Sequence, residues 1–284
     1  MKYSIIIPLF NKEKGVLQSL NSVLAQSFSD YEIIIIDDGS TDDSIELVKS
    51  VNDDRIVIYS QENSGPSAAR NTGIRISRGE WLLFLDADDE LLPDALNTFN
   101  ELIKRYPDYM AFCCNHMIET NGKTWLRSSF YPDGPVFNNY QAWFFNILLP
   151  CQGSTLLNRS ILKKYKYPTK IRRWEDAALM FDIMRDYKFI RCHIPTFIYH
   201  RSLSEGMYAR KDVNEDFCAH LDFDQKSFWE KMCLYKIMDE SRKLYPNYNM
   251  VPPKDKLSKY FVPSTYKILM SLLGFISFIK NIKI

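Results

Sequence analysis

The chain has 284 residues, 46% of them apolar and 14% aromatic, which supplies a substantial core and excludes wholesale disorder. Its 36 Lys and Arg balance 35 Asp and Glu, leaving a formal charge of +1, so no global field draws it to nucleic acid or to an acidic polymer. Cys113, Cys114, Cys151, Cys192, Cys218 and Cys233 form no CxxC pair and no ligand-spaced cluster. Reduced, mostly buried thiols are expected, with no zinc site or dithiol redox motif indicated. The apolar run Ile5-Ile6-Ile7, bounded by Pro8 and the charged Lys12-Glu13-Lys14, is too short for a secretory signal, and a cytoplasmic protein is expected.

The first hundred residues alternate short β-branched runs with helical spacing. Tyr3 to Pro8 reads as a strand, Glu13 to Ala25 as a helix, and Glu32 to Asp37 as a second strand. Its near-continuous isoleucines suit a strand buried on both faces of a parallel sheet. A helix over Asp43 to Val51 follows, with Ser40 or Thr41 as its cap, then a strand over Arg55 to Tyr59 and a helix over Ser67 to Ser77. Trp81 to Leu85 is the fourth strand, and Pro93 opens a helix over Asp94 to Arg105 that stops before Tyr106-Pro107. These strand-helix-strand units predict an α/β fold with right-handed crossovers.

From Tyr109 to about Arg210 the pattern is irregular and divided by Pro132, Pro135, Pro150, Pro168 and Pro195, as in a mixed second lobe. Phe217 to Leu244 again reads as helical, followed by a linker with Pro246, Pro252 and Pro253 and an apolar tail. Three units are therefore expected, over 1–106, 107–210 and 211–284, without internal repeats.

In an open parallel sheet, ligands bind beyond the carboxyl ends of the strands, where strand order reverses. Strand two ends in Asp37-Asp38-Gly39-Ser40 and strand four in Asp86-Ala87-Asp88-Asp89. Either turn alone is accounted for as a helix cap. An Asp-x-Asp at a buried strand end also holds a divalent cation that bridges two phosphates, and its hard oxygen donors select Mg²⁺ or Mn²⁺. No P-loop or dinucleotide fingerprint is present. Asn63-Ser64-Gly65-Pro66-Ser67 leads into a helix bearing Arg70, which faces a diphosphate beside the helix N-terminus, lies on a solvated helix face or pairs with an aspartate.

Four motifs occur in order: Ser4 to Asn11 (SIIIPLFN), Ile36 to Asp42 (IDDGSTD), Asn63 to Gly73 (NSGPSAARNTG) and Phe84 to Asp89 (FLDADD). They resemble the family 2 glycosyltransferases, inverting enzymes with the GT-A fold, a Rossmann-like and mostly parallel sheet flanked by helices. Gly153 to Arg159 and Trp174-Glu175-Asp176 resemble the family's acceptor-side segment and Glu-Asp motif. The resemblance is strong over 1–100, clear to about 200 and absent beyond. A nucleotide-sugar half, a mixed acceptor lobe and a helical C-terminal extension are what it implies.

By that resemblance Pro8 and Phe10 line the nucleoside, Asp38 bonds the base, and Asn63 and Arg70 lie along the nucleotide-sugar. Asp86 approaches the ribose with Ala87 beside it, and Asp88 ligates the metal on the diphosphate. Asp176 is the general base, with Glu175 beside it; without the resemblance, these acids would be a helix-terminus cap. His200, in Tyr199-His200-Arg201-Ser202, fits the family's late loop only loosely and is a candidate metal or diphosphate contact.

The implied reaction is one displacement: Asp176 takes the proton of the acceptor hydroxyl, and the nucleoside diphosphate leaves as a divalent cation neutralises its charge. A UDP-sugar is the foremost donor, since Asp38 accepts the imide proton of uracil, a proton that thymine shares. A carbohydrate or lipid-linked glycan is the acceptor class. Two readings compete. One is a nucleotidyltransferase or phosphatase of the Asp-x-Asp type; phosphatases of that sort place an acid after strand one, where Pro8-Leu9-Phe10 stands. A non-catalytic sugar-nucleotide binder would not need Asp88 and Asp176 together. The tail Ile268 to Ile279 has nine apolar residues in twelve, with Lys267, Lys280 and Lys283 around it and Lys254, Lys256 and Lys259 upstream. Too short to span a bilayer, it is expected to lie on the cytoplasmic face of the membrane, with docking on the core or burial in an oligomer as alternatives.

Overall fold

A computed structural model describes residues 1–127, 132–203, 212–224, 226–245 and 268. The chain begins with β1 (Tyr3–Leu9), α1 (Val16–Leu24), β2 (Tyr31–Asp37), α2 (Ser44–Lys49) and β3 (Ile56–Ser60). It continues through α3 (Pro66–Ile76), β4 (Trp81–Phe84), β5 (Glu90–Leu91) and α4 (Ala95–Arg105). The middle contains β6 (Ala111–Thr120), β7 (Lys123–Leu126), β8 (Gly134–Pro135), α5 (Asn139–Phe144) and β9 (Thr155–Asn158). Next come α6 (Arg159–Lys164), α7 (Glu175–Asp186) and β10 (Ile190–His200). Two short 3-10 turns, Val213–Glu215 and Phe217–His220, precede α8 (Phe228–Arg242).

The strands form one sheet in the order β3-β2-β1-β4-β9-β6-β10-β5, with β7 on β6 and β8 on β10. β3, β2, β1 and β4 are parallel, as consecutive strand-helix-strand units require. β9 then runs antiparallel to both β4 and β6, while β6 and β10 are parallel to each other. The sheet is continuous across residue 106, where the first two units were expected to meet, between α4 and β6.

The isoleucine runs are explained by two cores. Ile5, Ile7 and Leu9 pack with Val16, Leu20 and Phe99, whereas Ile6, Ile34 and Ile36 pack with Ala69 and Ile74. Alternate side chains thus leave the sheet on opposite faces, and helices cover both. Each such residue contributes about 1.5–3 kcal/mol relative to exposure. A Cβ at Gly73 would run into Ile6, so α3 can lie this close to β1 only because that position is glycine.

Two local expectations are corrected. The residue that precedes α2 is Asp43, not Ser40 or Thr41. Ser40 Oγ instead accepts the Asn11 N–H at 3.2 Å, and the Asp42 carboxylate accepts the N–H groups of Ser44 and Glu13. The helix expected from Phe217 to Leu244 is confined to α8, opened by the Ser227 hydroxyl, which accepts the Glu230 N–H. The Asp216 carboxylate bonds the Cys218 N–H, pairs with Arg173 and lies near the Ser241 hydroxyl, which itself accepts from Arg173 at 3.0 Å. This buried network ties α8 to the segment that leads into α7. All six cysteines are unpaired and five are buried. Among the described residues no helix is long and apolar enough to cross a membrane. The linker and the apolar tail lie outside the described residues, Ile268 excepted.

Candidate active site

Strand order reverses at β1, whose neighbours are β2 on one side and β4 on the other. The turn after β4 is closed by the Asp89 N–H bonding the Asp86 carbonyl at 3.0 Å, and this gathers three carboxylates beyond the strand ends. Asp86 is the most open, with its side chain 36% exposed; Asp88 is 9% exposed, and Lys12 Nζ stands 2.8 Å from its Oδ2. Burial, then the charge of Asp86, raises the Asp88 carboxyl, with Lys12 opposing. Asp89 is raised well above the carboxylate range by burial and by Asp86 and Asp88, and it accepts the His200 N–H at 2.9 Å. Lys12 on Asp88 and the Arg70 guanidinium 2.7 Å from Asp86 offset part of this charge, and the hard oxygen donors of Asp86 and Asp88 suit a divalent cation. Ala87 is 2% exposed and packs in the core, so its expected contact with a nucleotide-sugar is restricted to its backbone. Lys12 belongs to no motif; its place just past a strand end at the switch point is the only signal in the sequence.

At the ends of β1 and β2, Asp38 is buried, and its carboxylate accepts Gln61 Nε2 at 2.7 Å and the N–H groups of Ser64 and Gly65 at 3.0 and 2.7 Å. It organises the 61–65 loop, and one of its four lone pairs remains for a ligand. Asn63, on that exposed loop, lies against Gly39, whose φ of +78° suits the turn after β2. Asn11 bonds the Thr41 N–H at 2.8 Å, joining the β1 end to the next turn. Pro8 is half-buried at that end, while Phe10 presents an aromatic ring 44% exposed beside it.

Arg70 connects this half to the acids of α7. Its guanidinium donates to Asp86 Oδ1 at 2.7 Å and to Glu175 Oε1 at 3.0 Å, and it lies 5.3 Å from the Tyr167 ring centroid. The aspartate pairing foreseen as its alternative is therefore present. Asn71 holds Tyr167 by both backbone groups, at 2.9 and 3.0 Å. Glu175 is committed to Arg70, whereas Asp176 has no ion pair among the described residues. Burial, then the adjacent charge of Glu175, pushes the Asp176 carboxyl up to about 7, against the Ala177 N–H and Arg70. Trp174, just before these acids, has the left-handed φ of 63°, a strained entry of the kind found at functional sites. Buried donors of Arg70 (Nε), Gln152 (Nε2) and Trp174 (Nε1) have no partner among the described residues, and Gln152 lies 3.3 Å from the Tyr167 hydroxyl. Polar groups in this state call for a polar ligand or water.

His200, considered as a metal or diphosphate contact, has its Nε2 2.5 Å from Glu90 and its Nδ1 3.5 Å from Glu119, so both ring nitrogens face carboxylates. Elsewhere Asp133, Cys192 and His193 bring ligand-type atoms within 4.8 Å of one another. Cysteine spacing does not reveal this group, because Asp133 is distant in sequence; its carboxylate already bonds His193 at 2.6 Å and lies 3.7 Å from Arg191.

The profile described as glycosyl transferase family 2 matches residues 4–166. An uncharacterized glycosyltransferase of Haemophilus influenzae is 32% identical over 194 residues, 65% of this chain and 72% of that protein. An uncharacterized glycosyltransferase of Rickettsia conorii is 33% identical over 185 residues, which cover 64% of this chain but 30% of that longer protein. The crystal structure of S. aureus TarS 1-349 in complex with UDP-GlcNAc matches with a TM-score of 0.71 at 20% identity, covering 86% of this chain and 73% of that one. TarS 1-349 has also been solved with UDP, at a TM-score of 0.65 and 19% identity over 86% of this chain and 72% of that one. With four motifs on the ends of a half-parallel sheet and a profile match over most of that sheet, the chain belongs to glycosyl transferase family 2 and carries a glycosyltransferase domain of the GT-A fold.

Proposed function

We propose that the chain transfers a sugar from a nucleoside diphosphate sugar, with a UDP-sugar as the foremost donor, to a hydroxyl of a carbohydrate or lipid-linked glycan, inverting the anomeric centre. The observation that carries this reading is the pairing of two differently tuned acid groups. Asp86 and Asp88 stand beside a lysine at a strand end, and Asp176, with a carboxyl near neutrality, stands across Arg70. TarS, of like fold, has been solved with UDP-GlcNAc and with UDP, which favours a uridine nucleotide.

In this reading Phe10 stacks on the base above Pro8, and the remaining lone pair of Asp38 accepts the base N–H. Asn63 and Asp86 border the ribose and diphosphate. Asp88, with Asp86, would hold Mg²⁺ or Mn²⁺, which when bound supplies positive charge to the leaving diphosphate. Lys12 contributes a fixed positive charge at the same place. Arg70 holds Glu175 and Asp86 at a set separation, so that α7 faces the donor. Asp176 takes the acceptor hydroxyl proton; the oxygen bonds the anomeric carbon as the bond from that carbon to the phosphate oxygen breaks. A base with a carboxyl near 7 combines a large ionised fraction with good proton affinity. The acceptor class and a place in surface glycan synthesis at the cytoplasmic membrane face rest on the family resemblance and on the basic, apolar tail.

The test is release of nucleoside diphosphate on mixing the full chain with UDP-, dTDP- and GDP-sugars and a panel of glycan acceptors, with the product anomer assigned by NMR. Acceptor-dependent release with inversion is expected. A retained anomeric configuration would reject the single displacement, and binding without turnover across the panel would favour a non-catalytic module.

A further inference from the structure

A cavity of about 590 Å³ opens between α3 and α6, lined among others by Asn71, Arg75, Ser77, Arg159, Lys163 and Lys166. It is separate from the carboxylate cluster. The Arg159 N–H bonds the Glu80 carbonyl at 2.8 Å, just before β4 begins, whereas Asp86 to Asp89 lie past the other end of that strand. Among the described residues four cations line this cavity and no carboxylate does, in a chain whose charges nearly cancel. None of the four forms an ion pair with a described residue. Elsewhere surface lysines do: Lys49 with Glu46, Lys104 with Glu101, Lys164 with Asp186, Lys243 with Glu240.

The guanidinium of Arg159 is held in place by one arm, which donates to the Ser77 carbonyl at 2.7 Å, so its other donors keep a fixed aim. Arg75 is steadied over the Tyr59 ring, 5.8 Å from its centroid. Lys163 and Lys166 are exposed, on α6 and just after it; the Lys166 ammonium donates to the Leu162 carbonyl at 2.7 Å, and Lys163 supplies a movable charge. A planar fork and two ammonium groups suit the tetrahedral oxygens of phosphate, and a concavity of one sign concentrates such anions. The volume exceeds what one phosphate fills and lies within the range of small-molecule sites.

We propose that this cavity is a second anion site, binding a phosphate or diphosphate group that belongs to a larger molecule. That group is either part of a soluble phosphorylated compound or the headgroup of an anionic phospholipid. The inference stands independently of the transfer reaction, since none of its four cations belongs to the proposed machinery.

The test is calorimetric titration of the full chain, without divalent cations, with inorganic pyrophosphate, alongside co-sedimentation with phosphatidylcholine vesicles with and without phosphatidylglycerol. Parent, Lys163→Gln/Lys166→Gln, Arg159→Lys and the control Lys104→Gln are compared, each first confirmed as folded by circular dichroism. The double variant is expected to weaken pyrophosphate binding by about tenfold or more, and Arg159→Lys by less, with the control unchanged. Asp88→Asn should leave this binding intact, which separates it from any donor site. Loss of vesicle binding in the double variant assigns the site to lipid phosphate; binding of pyrophosphate without vesicles assigns it to a soluble compound. Equal binding by parent and double variant, or none by the parent to either probe, overturns the proposal.

Discussion

Replacing Arg70 with methionine keeps much of the side chain's volume but removes the one cation between Asp86 and Glu175. The guanidinium is 5% exposed, and its partners are 36% and 15% exposed at 2.7 and 3.0 Å. Breaking a buried pair costs about 3–5 kcal/mol because the surviving charge is left without compensation. Solvent screens the Asp86 half, which brings the expected loss to about 3 kcal/mol. For a chain of this length that lowers Tm by about 6 °C. Urea unfolding followed by circular dichroism should report the loss as a lower midpoint with an unchanged slope. Pairing Arg70→Met with Glu175→Gln should recover part of it, since the orphaned acid is then neutral. Arg70 also opposes ionisation loss at Asp176, so the acid limb of the activity profile should move upward in the variant. A variant within about 1 kcal/mol of the parent, with an unmoved profile, would refute the bridging role.

Asp88→Asn should lower turnover by about 10²-fold with the fold preserved, and excess chelator should act alike; full activity under either condition removes the cation from the mechanism. Asp176→Asn should reduce kcat by about 10²- to 10⁴-fold while donor affinity, read by calorimetry, is nearly kept. Because the native Asp176 carboxyl is raised to about 7, parent activity should fall about tenfold per pH unit below that value. The same shift means the native state holds a proton that the unfolded chain has lost, so this group's contribution to stability declines between about pH 4 and 7 and is level above. Arg173→Met leaves Asp216 buried and unpaired beside Ser241; a loss of about 3–5 kcal/mol is expected in urea unfolding, with Asp216→Asn milder.

The parallel strands β1 to β4 and the acids at their carboxyl ends were legible in the sequence because both are local patterns. An isoleucine run with no polar alternation means burial on two faces, and an Asp-rich turn after such a run sits at a strand's carboxyl end. The long strands β6 and β10 were not legible: Cys113, Cys114, Asn115 and His116 interrupt the apolar pattern of one, and Pro195 that of the other. Nor was the antiparallel entry of β9 between β4 and β6, since a four-residue strand carries no sign of its direction. Phe217 to Leu244 misled because helical spacing does not register the Ser227 cap that divides it.

Motifs brought the functional residues into view singly, and only tertiary structure decided their partners. Lys12 meets Asp88 across 76 residues, Arg70 meets Glu175 across 105, and His200 meets Glu90 across 110. Strand order sets these separations, and the state of each group depends on them. Asp176 is raised and has no ion pair among the described residues, while Glu175, its neighbour in the chain, is held by Arg70. Periodicity and spacing report which faces are buried and where a strand ends. Charge pairing and desolvation act through space, so they follow from how the sheet is assembled.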